Sequence, residues 1–536
     1  MRLSLSLAIA LFLIQLQLVS CKPKSPTAAD GAQSSDWTQG GGPSGTFLID
    51  DAKAPVKWSV VHDENIAWRL TLPETGQSTV VTAKGKLFFT IMKPVEEDSA
   101  LGQDIVAYCC DADTGKLLWT REIKGKHPLR LSGCFSDSTS PPPVTDGERV
   151  CFFNASGTIA CFDLDGKEQW AVERLVTGRT QPFLRNGLVH YIRQVYMPDG
   201  EGHFTHEHKG APLDQWTQLQ AMDIKTGEVD WTTDCGVNMG SMPVPQKLSD
   251  GREVVFVGRG GGHSPPEKPE GVSMVDITNG KTIWSLPLEG FMATQIISVY
   301  GDRALIYHGS DLLKVDVESG KISNSISIVE NIPARLHQGG EWVSETVSMK
   351  ASKKGRMITQ QSNLVVGDYS WFRNYLHNYL GRVNLKTDQV EYLQLPVQLV
   401  REKEKEDILH WAAEGSIAPW GKKKKKGPLK QNYWSLIHND MKNSRGFEVM
   451  GDERSRGNGW GHVATQVPTA IGEHLYVPVM NGTVYVLKWN AEKLDENALI
   501  SINDLGPAGG SWNRASLSFA DGRIYAHTIK EVICIK

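Results

Sequence analysis

A nine-residue signature, Asp-x-x-Thr-Gly-Lys-x-x-Trp, recurs along this chain and restricts its fold more than any other feature. It is complete at Asp111, Thr114, Gly115, Lys116 and Trp119. Asp163, Gly166, Lys167 and Trp170 repeat it one residue shorter. Asp223, Thr226, Gly227 and Trp231 form a third copy, and Asp276, Gly280, Lys281 and Trp284 a fourth. Asp316, Ser319, Gly320 and Lys321 carry it without the Trp, while Asn384, Thr387 and Tyr392 are a worn copy with Asp388 in place of the Gly. The segments GTVYVLKWN (482–490) and EVICIK (531–536) keep only the strand ahead of the turn, which brings the count to eight.

Each copy reads as an alternating apolar strand, a tight turn and a Trp-bearing strand. Gly supplies the positive φ such a turn needs, and Asp and Thr bond their own backbone there. The Asp positions are 52, 60, 53 and 40 residues apart, enough for a four-stranded sheet and its loops. One such sheet cannot bury both faces, whereas sheets stacked radially can, with Trp filling the seam between neighbours. The pattern predicts an all-β chain, an eight-bladed β-propeller of four-stranded antiparallel blades. The copy at 531–536 lacks a Trp-bearing fourth strand, and NIAWRLTL (65–72) is such a strand without three ahead of it. The N-terminal strand is therefore expected to join the last blade and close the ring.

Ahead of the repeats, Arg2 and the apolar run to Val19 form a signal peptide over residues 1–20, too short for a confident membrane span. LVSC, ending at Cys21, resembles a bacterial lipobox, so Cys21 is expected to carry the lipid anchor. By resemblance to enterobacterial sorting, Lys22 in place of Asp leans towards the outer membrane. The Pro-, Gly- and Ser-rich stretch that follows predicts a flexible tether over 21–57. The propeller is assigned to 58–536, with a long insertion at about 397–460. The expected location is the bacterial cell envelope, lipid-anchored and facing the periplasm. A formal net charge of −4 argues against a nucleic-acid partner, which needs a basic face.

The repeat resembles the PQQ-like repeat of bacterial propellers, a superfamily holding quinoprotein dehydrogenases and the outer-membrane-protein assembly factor BamB. DWTQGGGPSG, STSPPPVTDGERVCFF, IACFDLDGKEQW and ASLSFADGRIYAHT further resemble segments of large BamB-like propellers found, for example, in planctomycetes. The resemblance spans roughly residues 36–536. It is strong for fold and weak for function, because one fold hosts unrelated activities.

Cys109 and Cys110 raise the question of a vicinal disulfide, which in quinoprotein dehydrogenases lies against the cofactor. Aligned on the turn Asp, Cys109 takes the place of Cys161, Cys534, Ala221 and Met274 in other copies, a buried strand position. Adjacent strand residues point to opposite faces, and their Cα atoms are about 3.8 Å apart, below the usual disulfide range. The pair reads as structural. With Cys21 lipidated, seven cysteines remain, so at least one is a free thiol or pairs between molecules. There is no Cys-x-x-Cys to suggest a zinc ribbon or thioredoxin-like centre.

His203, His206 and His208 lie close enough to hold a metal, but without a fourth ligand they read as a polar loop. GRGGGH (258–263) lacks the following helix of a phosphate-cradling loop and reads as a hairpin connection. The aromatics Trp371, Phe372, Tyr375, His377 and Tyr379 suit either a docking surface or blade core. REKEKEDILHWAAEGSIAPW (401–420) reads as a short charged helix, and Lys422 to Lys426 as a solvated run rather than a lipid contact. SRGNGWGH (455–462) leads back to the seventh blade, close to the central funnel.

Two functions from different classes remain. The first is a binding or scaffold propeller, held to the membrane by its lipid and presenting loops to other envelope proteins. The alternative is a PQQ-dependent dehydrogenase, whose chemistry needs an Asp base, a calcium held by several oxygens and an aromatic floor. No segment resembles the quinoprotein catalytic Asp region, so the first reading is favoured. No catalytic, cofactor-binding or metal residue is assigned, and PQQ and calcium enter only under the alternative. The assigned positions are Cys21 and the repeat residues Asp111, Gly115, Trp119, Asp163, Gly166, Trp170, Asp223, Gly227, Trp231, Asp276, Gly280 and Trp284.

Overall fold

The computed structural model describes residues 36–50, 52–95, 101–130, 137–177, 180–195, 216–260, 269–291, 293–349, 359, 363–374, 377–411, 442, 444–446 and 466–536. Cys21, the histidines at 203, 206 and 208, Tyr375, Lys422 to Lys426 and the segment 455–462 lie outside them.

Eight four-stranded units make the ring. Blade one contains Val81–Ala83, Lys86–Met92, Ile105–Asp111 and Leu117–Ile123, antiparallel in chain order. Blades two to seven follow over 144–173, 183–232, 245–287, 298–327, 363–394 and 469–504. Blade eight combines Ser518–Ala520, Arg523–His527 and Glu531–Ile535 with Ile66–Thr71 from the N-terminal side, Trp68 opposing Cys534 and Thr71 opposing Glu531. The predicted eight-bladed ring and its closure by the N-terminal strand are both present.

The burial pattern orders the strands radially. The first strand of blade one is wholly buried, whereas the fourth strands of blades one, two and four leave most side chains at least partly exposed. First strands therefore line the axis and fourth strands form the outer wall. Between blades, Trp from one outer strand lies on the turn Gly of the next. A Cβ at Gly166, where φ is +83°, would sit 2.8 Å from the Trp119 ring, so side chain and backbone conformation both exclude anything larger. Trp119 Nε1 donates to the Leu164 carbonyl at 3.0 Å. Trp170 does the same over Gly227, donating to Ile224, and Trp284 over Gly320, donating to Val317. Trp231 covers Gly280 without a partner for its Nε1 among the described residues. Trp68 of the closing strand docks on Gly115 and donates to Ala112 at 3.1 Å, carrying the seam from blade eight into blade one. The turns themselves are stapled by their Asp: Asp111 Oδ1 accepts from Thr114 N and Oγ1 at 2.9 and 2.6 Å.

Two expectations are corrected. The tether does not extend to residue 57, because 36–57 is built into the body. Trp37 and Trp58 are fully buried. Thr82 and Thr145, on first strands of blades one and two, donate their amides to the carbonyls of Trp37 and Thr38, and the Leu184 amide of blade three donates to Gln39 Oε1. Phe47 packs among Met242, Val244, Ile296, Leu364 and Val467, and Leu48–Ile49 adds a parallel strand to Thr469–Ile471 of blade seven. Two large aromatic side chains and a ladder of amides outweigh the Gly and Pro content that reads as flexibility. The segment fills the axis, crosses beneath blade seven, and anchors on its outer strand, where Trp58 Nε1 donates to the Asp504 carbonyl at 2.9 Å.

The second correction concerns residues 398–410. They form a hairpin, Gln398–Val400 with Ile408–His410, rather than the start of a charged helix. Arg401 commits its guanidinium to Asp407 and Asp504, which draws the charged run into the hairpin turn. From residue 412 onward that predicted helix lies outside the described residues.

Candidate functional site

The two ends of the ring differ. Strand polarity puts every first-to-second and third-to-fourth connection at one end, where Lys86 opposes Asp111 in blade one. This end carries the short Gly turns. Connections between second and third strands, and between blades, all fall at the opposite end, where Met92 opposes Ile105. They include the long ones after Arg193, Arg259 and Gln394. With residues 36–49 filling the axis, the long-connection end is the face available for binding.

At the axis of that face, buried polar residues from successive inter-blade segments meet. Gln77 N donates to Thr139 Oγ1 and Ser140 Oγ to Gln77 Oε1, each at 3.0 Å, joining blades one and two. Gln466 Nε2 donates to the Asn513 carbonyl at 2.6 Å, and the Ser516 amide to Thr79 Oγ1 at 3.1 Å. Within this ring sit two buried carboxylates. Glu74 accepts from its neighbour Thr75 N and, through its other oxygen, from Ser444 N at 2.9 Å. Asp137 Oδ1 accepts from Thr139 N at 2.8 Å and Oγ1 at 2.5 Å, while its Oδ2 has no partner among the described residues. Burial pushes the Asp137 carboxyl up to about 6, against the lowering influence of Thr139 and Arg514 and with a further push from Glu74. His527, also buried, is driven down to about 4 by desolvation and holds Ser78 O at 2.7 Å through Nδ1. Gln466 Oε1, Asn513 Oδ1 and Ser138 Oγ are likewise unpaired among the described residues.

A second feature lies on the outer wall. The hairpin Ile332–Gln338 and Glu341–Val347 extends blade six outward, its first strand running parallel to Val390–Gln394 with Ala334 opposite Tyr392. Glu341–Val347 ends the sheet, its outer backbone edge paired with no other strand among the described residues. Beside it His337 stacks on Trp411 at 4.0 Å between centroids, and Trp342 meets Trp411 edge-on at 5.5 Å. Ile408 and Leu409 of the adjoining hairpin are 51% and 39% exposed. An aromatic cluster flanked by exposed aliphatics is the composition of a protein-contact surface.

The repeat residues named from sequence stand at the seams and turns described above, away from the axial ring. Cys109 and Cys110 lie in a ladder strand on opposite faces, Cys109 packed towards blade two and Cys110 towards blade eight, with a bulge between them against Leu117–Ile123. Both are free thiols. The aromatics at 371 and 372 are fully buried, which makes that stretch blade core. Glu74, Asp137, His527 and the trio His337, Trp342 and Trp411 escaped the sequence reading. The only sequence trace of the axial ring is the Ser, Thr and Asn content ahead of first strands, as in GQST and SDSTS.

Fold and repeat define an eight-bladed β-propeller with an internally occupied axis. Over residues 102–343 the repeats match the family model described as outer membrane protein assembly factor BamB. Among solved structures, BamB from Moraxella catarrhalis is 12% identical, covering 88% of this chain and 96% of its own, with a TM-score of 0.44. Quinohemoprotein alcohol dehydrogenase from Comamonas testosteroni is 14% identical over 94% and 81%, at 0.49. A europium-containing methanol dehydrogenase is 11% identical over 91% and 88%, at 0.50. At such identities the likeness concerns the fold alone. No curated protein matches the chain in sequence.

Calcium takes about six to eight oxygens, and among the described residues no group of three His, Cys, Asp or Glu side chains converges. Each Glu74 oxygen accepts one amide, and Asp137 Oδ2 has no partner among the described residues. The two adjacent thiols are strand residues instead of a bridge.

Proposed function

We propose that this chain is an exported, lipid-anchored propeller that works as a protein-binding or scaffold module of the bacterial cell envelope. The observation that carries the reading is the outer wall of blade six. Its hairpin presents a strand edge that is unpaired among the described residues, beside Trp342, His337 and Trp411, with Ile408 and Leu409 exposed next to them. Strand addition at a sheet edge and aromatic anchors are two recurring means of holding an extended partner segment. The matching family model is described as an outer membrane protein assembly factor, which supports other envelope proteins as the partners. Cys21 supplies the lipid, and the periplasm is the compartment the body faces.

The test uses the full-length chain in bacterial envelopes. The wild type is expected in the membrane fraction and the Cys21→Ser variant in the soluble one. Crosslinking of the wild type is expected to capture a defined envelope protein, and W342A with W411A is expected to lose it while melting as the wild type does. Capture unchanged in the double variant would remove the blade-six surface from the reading. The alternative dehydrogenase has its own arm, a thermal melt with PQQ and calcium. A ligand at a hundred times its Kd stabilises by about 2.7 kcal/mol. No shift is expected, and an upward shift with co-eluting quinone would overturn the scaffold reading.

A further inference from the structure

Six cysteines fall among the described residues, all of them reduced and buried. Cys151 and Cys161 differ from the rest in facing one another. They are directly opposed on the antiparallel strands Arg149–Asn154 and Thr158–Asp163, between the pairs Val150 with Phe162 and Phe152 with Ala160. Their Sγ atoms are 2.9 Å apart. Both point into the layer between blades two and three, among Phe153, Val189, Tyr191 and Met222.

Opposed residues of an antiparallel pair have Cα atoms about 4.5–5.5 Å apart. That interval lies inside the range of about 4.4–6.8 Å which a disulfide accepts. The same criterion excludes Cys109 with Cys110, so one geometric rule separates the two cysteine pairs of this chain. We propose that Cys151 and Cys161 form a cross-strand disulfide that locks the central hairpin of blade two.

The chemistry is thiol–disulfide exchange with a disulfide-bearing oxidant, either a small-molecule disulfide or an oxidised dithiol protein. One cysteine thiolate attacks a sulfur of the oxidant, forming a mixed disulfide and releasing one oxidant thiolate. The second cysteine thiolate then attacks the mixed disulfide at the protein sulfur and releases the other. The two protein thiols give up two protons and two electrons, and the oxidant leaves as two thiols. In the closed ring both sulfurs are sealed, and burial pushes the Cys151 thiol up and keeps it unreactive. The bond therefore forms while the hairpin is still open, before blade three covers it. Export to an oxidising compartment would supply the oxidant, although the test below does not depend on it.

The full chain is unfolded under reducing conditions and refolded with either oxidised or reduced glutathione, then denatured, alkylated and digested. Trypsin leaves both cysteines on one peptide, 150–167, because no Lys or Arg lies between them. After oxidative refolding that peptide is expected to escape alkylation and to weigh two hydrogens less than its reduced form. Chymotrypsin, cutting after Phe152 or Phe153, should give two peptides joined through Cys151 and Cys161. The oxidised protein is expected to melt several degrees above the reduced one, a difference absent in the C151A/C161A variant. Quantitative alkylation of both cysteines after oxidative refolding, or either one linked to another cysteine, would overturn the proposal.

Discussion

Asp137 is held where a carboxylate is poorly solvated, one oxygen bonded to Thr139 and the other unpaired among the described residues. Between the ordinary carboxylate value and about 6, the folded chain keeps a proton that the unfolded chain has released. Its contribution to stability therefore falls as pH rises through that window. Replacement by Asn removes this dependence. We expect D137N to melt above the wild type at about pH 7.5, by the equivalent of about 1–3 kcal/mol, with the gap closing towards about pH 4. A gap independent of pH would mean that Asp137 is charged in the fold and compensated. His527 contributes with the opposite sign, gaining stability from about 4 up to its ordinary value, so the comparison must be variant against wild type. None of this chemistry was legible from the chain alone. Asp137 sits in a Ser-rich stretch like any loop, and Glu74 and Arg514 reach it only because the ring closes.

The repeated element was legible because its parts are contiguous: a strand, a stapled turn and a Trp within nine residues. Its irregularities in blades five and six have a structural counterpart that sequence did not explain. Blade five has Asn324 at the Trp position, eight residues past Asp316, and blade six has Asp388 where the receiving Gly should be. The two meet across the seam, Asn324 Nδ2 donating to Asp388 Oδ2 at 2.9 Å, with Lys314 on the other oxygen. Without an indole to admit, the turn can carry a side chain, and Asp388 accepts the φ of +61° that Gly takes elsewhere. The two substitutions are one design choice. Each single reversal, N324W or D388G, is expected to destabilise. Together they should restore a Trp-on-Gly seam, with a favourable coupling of about 0.5–3 kcal/mol in a double-mutant cycle read by denaturant melts. Additive losses would mean the seam tolerates either pairing independently. The blade-six hairpin was missed for the opposite reason: its outer strand Glu341–Val347 mixes polar and apolar residues without a turn signature to mark it as an addition.

At the scale of the whole molecule, blade number and closure follow from the count of copies, but the occupied axis does not. Gly and Pro in DWTQGGGPSG read as flexibility, whereas here they let the backbone pass close to several first strands. A Cβ at Gly45, where φ is +74°, would lie 3.2 Å from Pro245 on the first strand of blade four, and one at Gly40 would lie 2.8 Å from Pro142 just ahead of that of blade two. We expect a chain beginning at residue 58 to retain the ring yet melt at least several degrees below one beginning at 36. The loss follows from removing Trp37 and Phe47, since deleting a large buried side chain costs about 3–5 kcal/mol. Equal melting would show that the segment rests on the ring without supporting it.

Closure has a temporal side as well. Arg69 binds Glu531 across 462 positions of sequence, so the strand that seals the ring waits for nearly every blade to be made. The entropy of joining such distant segments grows only with the logarithm of their separation and adds little to the final balance. The cost falls on rate, since folding slows as contacts become more distant in sequence. Until then the strand Glu531–Ile535, buried in the finished ring except at its first residue, has no partner on its outer side. An open ring with a bare apolar edge is a template for pairing with the wrong chain. The half-made molecule, more than the finished one, is thus the form most in need of a chaperone.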